Sequence, residues 1–324
     1  MRTATIFILV FAVISVQAKT LQTSPDQLTL LHNRAKIQLP NDTALQSGDW
    51  YASLDGLKQP QQVMQIQLWL EQLANNSVPS VAQRQWVASM STDTRELVIA
   101  NPDHPHAYLS VANLAKQAKA AQYIWQVNSL KAMLEHDWQR GRFSWQELLV
   151  NPASAQTDAL VQWINSLSIA EAQAVALHFE NYGLDYIEGS NRILATVALR
   201  GGSSFLTEKL LQRTPDQYSY WFIQQSGNFF TDYEHISQLG LALSNPALSS
   251  QALNLLAKKY SMDRQAQEHL EQAIKNPDLQ WQAVAALAFM PENSFRSVLV
   301  EQIEHYNLPS KILLERLPSE GAAR

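Results

Sequence analysis

Three groups of residues in this chain have the types and spacing that chemistry or recognition could use. Asp103-His104-Pro105-His106 puts two imidazoles and a carboxylate within four residues. Imidazole suits zinc or copper. Asp103, His104 and His106 would still need His136 or Asp137 to complete a closed site, because such zinc sites take four convergent ligands. The favoured expectation is plainer: a polar loop between helices, with an N-capping aspartate. Glu180, Asp185 and Glu188 gather in HFENYGLDYIEGSNR. Carboxylates about 5–9.5 Å apart serve glycoside hydrolysis, and Tyr182 and Tyr186 could stack on a sugar. The favoured expectation here is a helix that stops at Gly183, followed by a fresh first turn carrying acids, which the helix dipole stabilises.

The third group is aromatic. Tyr218, Tyr220, Trp221, Phe222, Phe229, Phe230 and Tyr233 fall within sixteen residues. If exposed, Tyr218, Tyr220, Trp221, Phe229, Phe230 and Tyr233 would line a groove for a peptide or a glycan, since Tyr and Trp dominate binding hot spots. Helical spacing puts Tyr218, Trp221 and Phe222 on one stripe, the ordinary arrangement of a core. Seven rings cannot all face one seam, so part of the group is expected at the surface.

The sequence also excludes much. It carries no GxSxG, SxxK, HExxH, Walker or GxGxxG pattern, so no catalytic motif and no cofactor is expected. Zero cysteines exclude a disulfide framework, a thiolate zinc site and a cysteine nucleophile. The net charge is −5 and no basic run exceeds Lys258-Lys259, which disfavours nucleic acid as a partner. Charged residues are only 16% of the chain, while glutamines number 33. The solvated faces are therefore largely neutral and polar.

The elements that must carry these residues read as helices. Capping boxes stand at Ser24-Pro25-Asp26-Gln27, Ser144-Trp145-Gln146-Glu147, Ser168-Ile169-Ala170-Glu171, Thr214-Pro215-Asp216-Gln217 and Thr231-Asp232-Tyr233-Glu234. Val63, Ile66, Leu70 and Leu73 keep helical period, as do Ile124, Val127, Leu130, Leu134 and Trp138, and Ala266, Leu270, Ala273 and Ile274. No long strict alternation occurs, so a helix-only core of twelve to fourteen helices is expected, with 46–59 as an irregular connection. Asn-Pro recurs at 101, 151, 245 and 276, and in each case Asn can cap a helix with Pro at its first position. The last two marks are 31 residues apart. Leu248/Leu279, Gln251/Gln282 and Ala257/Ala288 coincide at that shift, and the second helices align one residue slipped, Leu270 on Val300 and Ala273 on Ile303.

The segment NPDLQWQAVAALAF, Asn276 to Phe289, resembles the first helix of a bacterial HEAT-like repeat. That family opens on Asn/Asp-Pro-Asp, then has an apolar residue, a basic residue and an Ala-Ala-x-Ala-Leu core. Gln282 stands where the family prefers arginine. The resemblance covers about 245–306, is faint over 151–244 and is absent upstream of 101. It implies a right-handed α-superhelix and a binding role.

The expected fold class is therefore all-α, with stacked antiparallel helix pairs forming an α-solenoid. Four regions are expected: a signal peptide at 1–18, an irregular helical region at 19–100, the repeat array at 101–306, and a capping helix and tail at 307–324. Residues 1–18 combine Arg2, an apolar run from Ile6 to Val16 and a small-x-small site at Val16-Gln17-Ala18, the pattern of a secretory signal. The run is too short to span a bilayer. The expectation is an exported bacterial protein, periplasmic or extracellular, without a transmembrane anchor in its mature form. Its expected function is a non-catalytic scaffold that binds another envelope or secreted protein. The alternative is a glycan-directed enzyme or binder using the carboxylates near 180–188.

Overall fold

Helices begin where a side-chain oxygen reaches forward to the bare N–H groups of a first turn. The computed structural model describes residues 20–35, 39–104 and 106–305. The expected signal peptide and the C-terminal capping helix and tail lie outside the described residues. Sixteen α-helices and three short 3-10 turns occur among the described residues, somewhat more than the twelve to fourteen expected. Ser24, Ser168 and Thr231 form complete capping boxes. Ser144 accepts from the Glu147 amide but heads a helix of only five residues. The chain divides into two compact units, Met1–Leu130 and Lys131–Arg324.

The first unit holds α1 (Pro25–Arg34), α2 (Asp42–Ser47), α3 (Gln59–Ala74) and α4 (Val81–Met90). It also holds a three-stranded sheet, which corrects the expectation of a helix-only core. The strands are β1 (Thr20–Thr23), β2 (Glu96–Ala100) and β3 (Tyr108–Asn113), in the order β1-β2-β3. β1 runs parallel to β2, and β2 antiparallel to β3. Helix α3 packs on all three strands. The central strand, ELVIA, buries the adjacent Leu97 and Val98, so it shows a short apolar run and no alternation. The Asn101-Pro102 pair, expected to open the repeat array, instead lies in the turn of the β2–β3 hairpin. The Asn101 amide donates to the Ala107 carbonyl at 3.0 Å across that turn. Trp50, Trp69 and Trp86 meet edge to face in the unit's core, with centroids 5.5–6.4 Å apart. Each buried aromatic of this kind contributes roughly 1.5–3 kcal/mol of burial free energy.

Helix α5 (Leu114–Gln139) straddles the division, and the chain leaves it through Gly141 at φ +66°. The second unit continues through α6 (Trp145–Leu149), α7 (Ser154–Ser166), α8 (Ile169–Tyr182), α9 (Arg192–Gly201), α10 (Ser204–Gln212), α11 (Gln217–Ser226) and α12 (Asp232–Ala242). It ends with α13 (Pro246–Tyr260), α14 (Arg264–Lys275), α15 (Gln280–Ala286) and α16 (Ser294–His305). From α7 onward, each helix packs on the next but one. α7, α9, α11, α13 and α15 form one row of contacts, and α8, α10, α12, α14 and α16 form a second. The rows also touch each other, as in α8 on α9 and α13 on α14. The fold is thus predominantly α-helical, with its helices packed in sequence order.

Two capping expectations need correction. Helix α11 is capped by Asp216, which accepts from the Tyr218 and Ser219 amides, and not by Thr214. A carboxylate two residues into the expected motif is the better acceptor and wins the position. Of the Asn-Pro marks, only Asn245 caps a helix. Asn151 takes a left-handed conformation at φ 52°, and α15 starts three residues after Pro277. The slipped alignment of the second helices does fit: α14 and α16 are both 12 residues long and start 30 residues apart.

Candidate functional site

The row of α7, α9 and α11 carries an open cleft of about 440 Å³. Val161 and Asn165 come from α7, Arg192 and Thr196 from α9, and Gln217, Tyr218 and Trp221 from α11. Successive helices of one row thus each contribute. Within α11 the spacing of 217, 218 and 221 turns these side chains to one side, while Phe222 is fully buried beneath. Trp221 stays 37% exposed. The Arg192 guanidinium lies 5.6 Å from the centroid of the Tyr218 ring and pairs with the Asp158 carboxylate. The pair with Asp158 and the ring beneath restrict the guanidinium to a narrow set of positions.

A buried amide sets this geometry. Asn191, directly before α9, is 1% exposed. Its Nδ2 donates to the Thr214 carbonyl and to Ser219 Oγ, both at 2.9 Å, and its Oδ1 accepts from Arg213 Nε at 2.8 Å. Its backbone N–H donates to Asp216 Oδ2 at 2.8 Å. Asn191 therefore does not cap its own helix. It ties the start of α9 to the start of α11, one residue from Arg192 and beside the turn that bears Tyr218.

The aromatic candidates separate. Tyr218 and Trp221 line the cleft. Tyr220 is structural: its hydroxyl donates to the Ala247 carbonyl at 3.1 Å, and its carbonyl accepts from Gln251 Nε2 at 3.2 Å. Both bonds fasten α11 to α13. Phe229 sits 6.0 Å from the Arg200 guanidinium, and Phe230 packs at 6.4 Å on the core ring of Phe222. Tyr233 is 73% exposed on α12 and is not among the residues lining the cleft.

The carboxylate candidates separate as well. Glu180 accepts a short hydrogen bond from Ser203 Oγ, joining α8 to the cap of α10. Asp185 opens into a different cleft, of about 330 Å³, together with Tyr182, Tyr186 and His178. Glu188 is exposed and is not among the residues lining that cleft. The Asp103, His104 and His106 group occupies the β2–β3 turn, a hairpin turn and not the interhelix loop expected. There Asn101 Oδ1 accepts from the Asp103 amide at 3.0 Å, and the His104 carbonyl accepts from the Ala107 amide at 2.9 Å. Among the described residues no three His, Asp or Glu side chains are placed to hold a metal ion. No helix among them is long and apolar enough to cross a membrane.

Sequence reasoning passed over Asn165 and Arg192, which no motif marks, and singled out Gln217 only as the end of an expected capping box. It also passed over His178. That imidazole is ringed by Trp138, Phe143, Trp145 and Tyr182, at centroid distances of 4.8–6.3 Å. Its Nδ1 accepts the Trp145 indole N–H at 2.9 Å, and burial pushes its pKa below the usual histidine range. Compared with known proteins, the chain matches no family model, no curated protein and no solved structure. The assignment of roles rests on geometry alone.

Proposed function

We propose that this chain is an exported, non-catalytic helical-repeat protein that holds an extended segment of another protein across α7, α9 and α11. The single observation that carries the reading is the composition of that cleft. It brings together Trp221, Tyr218 and Arg192, the three residue types most enriched at binding hot spots. Asn165 and Gln217 add side-chain amides at the same cleft. An amide both donates and accepts, so it matches the peptide groups of an extended partner. Two kinds of evidence support a HEAT-like array: the helices that pack on the next but one, and the equal lengths of α14 and α16. In this reading Gln251, which bonds to the Tyr220 carbonyl of α11, supplies the link between successive units that arginine supplies in that family. Residues 1–18 would direct export and be removed. The folded part, having no cysteine, would then rely on its core alone in an oxidising compartment.

The test is selection of linear peptides from a random displayed library on the mature protein, with Trp221→Ala as the counter-target. Selected peptides are expected to lose about tenfold or more in affinity on Trp221→Ala and on Arg192→Ala. Enrichment of no peptide, or of peptides indifferent to both substitutions, would sink the proposal.

A further inference from the structure

The second cleft does not depend on the peptide reading. It lies where α6, the end of α8 and the 3-10 turn Leu184–Tyr186 meet. We propose that it is a binding site for a neutral sugar residue of a glycan.

Its chemistry suits hydroxyl groups, each of which donates and accepts at once. Asp185 supplies an acceptor, and Gln146 an amide. The Asn181 amide nitrogen donates to the Leu177 carbonyl at 2.8 Å, so its oxygen is the atom left to accept. His178 is held in one tautomer. Because Nδ1 accepts from the Trp145 indole, the neutral ring carries its proton on Nε2 and is a donor there. Burial favours the neutral form of that ring. Tyr182 is 62% exposed, with its ring braced 4.8 Å from that of His178. It offers a flat apolar face of the kind that packs on sugar C–H groups.

The same inventory argues against other occupants. A phosphate or uronate would meet the Asp185 carboxylate with no cationic side chain lining the cleft. A quaternary amine would have no use for the His178 Nε2–H or for the amide donor of Gln146. Hydrolysis needs two carboxylates, and only Asp185 is among the lining residues. The site is therefore assigned to binding. Its volume of about 330 Å³ is near the low end of small-molecule sites, roughly 300–1,000 Å³, which suits one or two sugar rings.

The experiment is isothermal titration calorimetry on the folded chain with cellotriose, maltotriose and chitotriose, and with tetramethylammonium as a cation control. At least one trisaccharide is expected to bind saturably. That binding should weaken about tenfold in Tyr182→Ala and in Asp185→Asn, and Tyr182→Phe should largely keep it, because the stacking ring remains. Circular dichroism checks folding. If Tyr182→Ala fails to fold, the near-isosteric and exposed Asp185→Asn decides alone. The proposal is overturned by no heat with any of the three sugars, by sugar binding unchanged in the variants, or by saturation with tetramethylammonium instead. Trp221 is untouched throughout, so failure here leaves the peptide groove standing, and the converse also holds.

Discussion

Replacing Asn191 by alanine should cost more than any other single polar truncation near the groove. The substitution removes three side-chain hydrogen bonds: to the Thr214 carbonyl, to Ser219 Oγ and from Arg213 Nε. The backbone bond to Asp216 survives. A neutral pair is worth about 0.5–1.5 kcal/mol net, and a bond to a charged group about 1.5–3 kcal/mol. Two of the abandoned partners recover water, since Thr214 is exposed and Arg213 half-buried. Ser219, at 0% exposure, cannot. The discounted loss is about 2–4 kcal/mol. Urea unfolding followed by circular dichroism should show a midpoint about 1 M lower at unchanged slope. Asn191→Asp should not rescue, because it keeps the acceptor for Arg213 but loses both donors and adds charge beside Asp216. The groove should suffer too. With α9 loosened from α11, Arg192 and Tyr218 lose their fixed relation, and peptide affinity falls in the residual folded protein. If Asn191→Ala lies within about 0.5 kcal/mol of the parent, the level of an ordinary surface change, the tie between α9 and α11 is not what fixes the groove.

Other expectations follow from particular contacts. At Gly201 a Cβ would lie 2.3 Å from Ala176 Cβ and 3.0 Å from the Ala172 carbonyl, where about 3.5 Å is the ordinary carbon contact. Gly201→Ala should destabilise by about 1–3 kcal/mol, against a helix-propensity gain below ~1 kcal/mol, and Ala176→Gly should relieve part of it. A double-mutant cycle by urea melts reads the coupling, and additive effects would refute the close seam. His178, His235 and His269 all have pKa values below the usual 6.5, pushed down chiefly by burial. The unfolded chain therefore binds protons first, so stability is full above about pH 6.5 and falls as pH drops through the lowered folded values. Urea midpoints from pH 8 to pH 5 should fall with pH, and a flat profile would contradict this. Trp145→Phe keeps a ring but leaves His178 Nδ1 without its donor, so a loss of about 1–3 kcal/mol is expected by the same melts. N-terminal sequencing of the full-length chain after expression in a bacterium should begin at Lys19, if residues 1–18 direct export as proposed. An intact Met1 would remove the export proposal.

What the sequence made legible was helical texture. Apolar stripes such as Val63-Ile66-Leu70-Leu73 recur every turn, and four of these are buried in α3 as expected. Six helices, α7 to α12, fill the stretch between Asn151 and Asn245. The strands were hidden for a physical reason: β2 is central in its sheet and presents Leu97 and Val98 side by side. Proline dipeptides misled, because Asn-Pro serves hairpin and helix turns as readily as caps. The aromatic segment pointed at the right helix, α11, yet only Tyr218 and Trp221 of it face the cleft. Arg192 and Asn165 had no local signal and Gln217 only that of a capping box, since each meets the cleft only through helices about 25 to 50 residues away in sequence. The same holds for Asn191, whose three side-chain partners lie 22 to 28 residues away. Glu180 and Asp185 looked like one site because five residues separate them. Instead Glu180 bonds to Ser203, the cap of α10, while Asp185 lies in the short turn after α8.

The central claim is that a partner segment lies across α7, α9 and α11. The absence of cysteine allows a direct measurement: a single Gln217→Cys variant, labelled with an environment-sensitive fluorophore and titrated with a library-selected peptide. The expected result is a saturable emission shift at the concentration where the peptide binds, abolished when Trp221→Ala is added. A peptide that binds the labelled protein with no change at position 217 would contradict the claim.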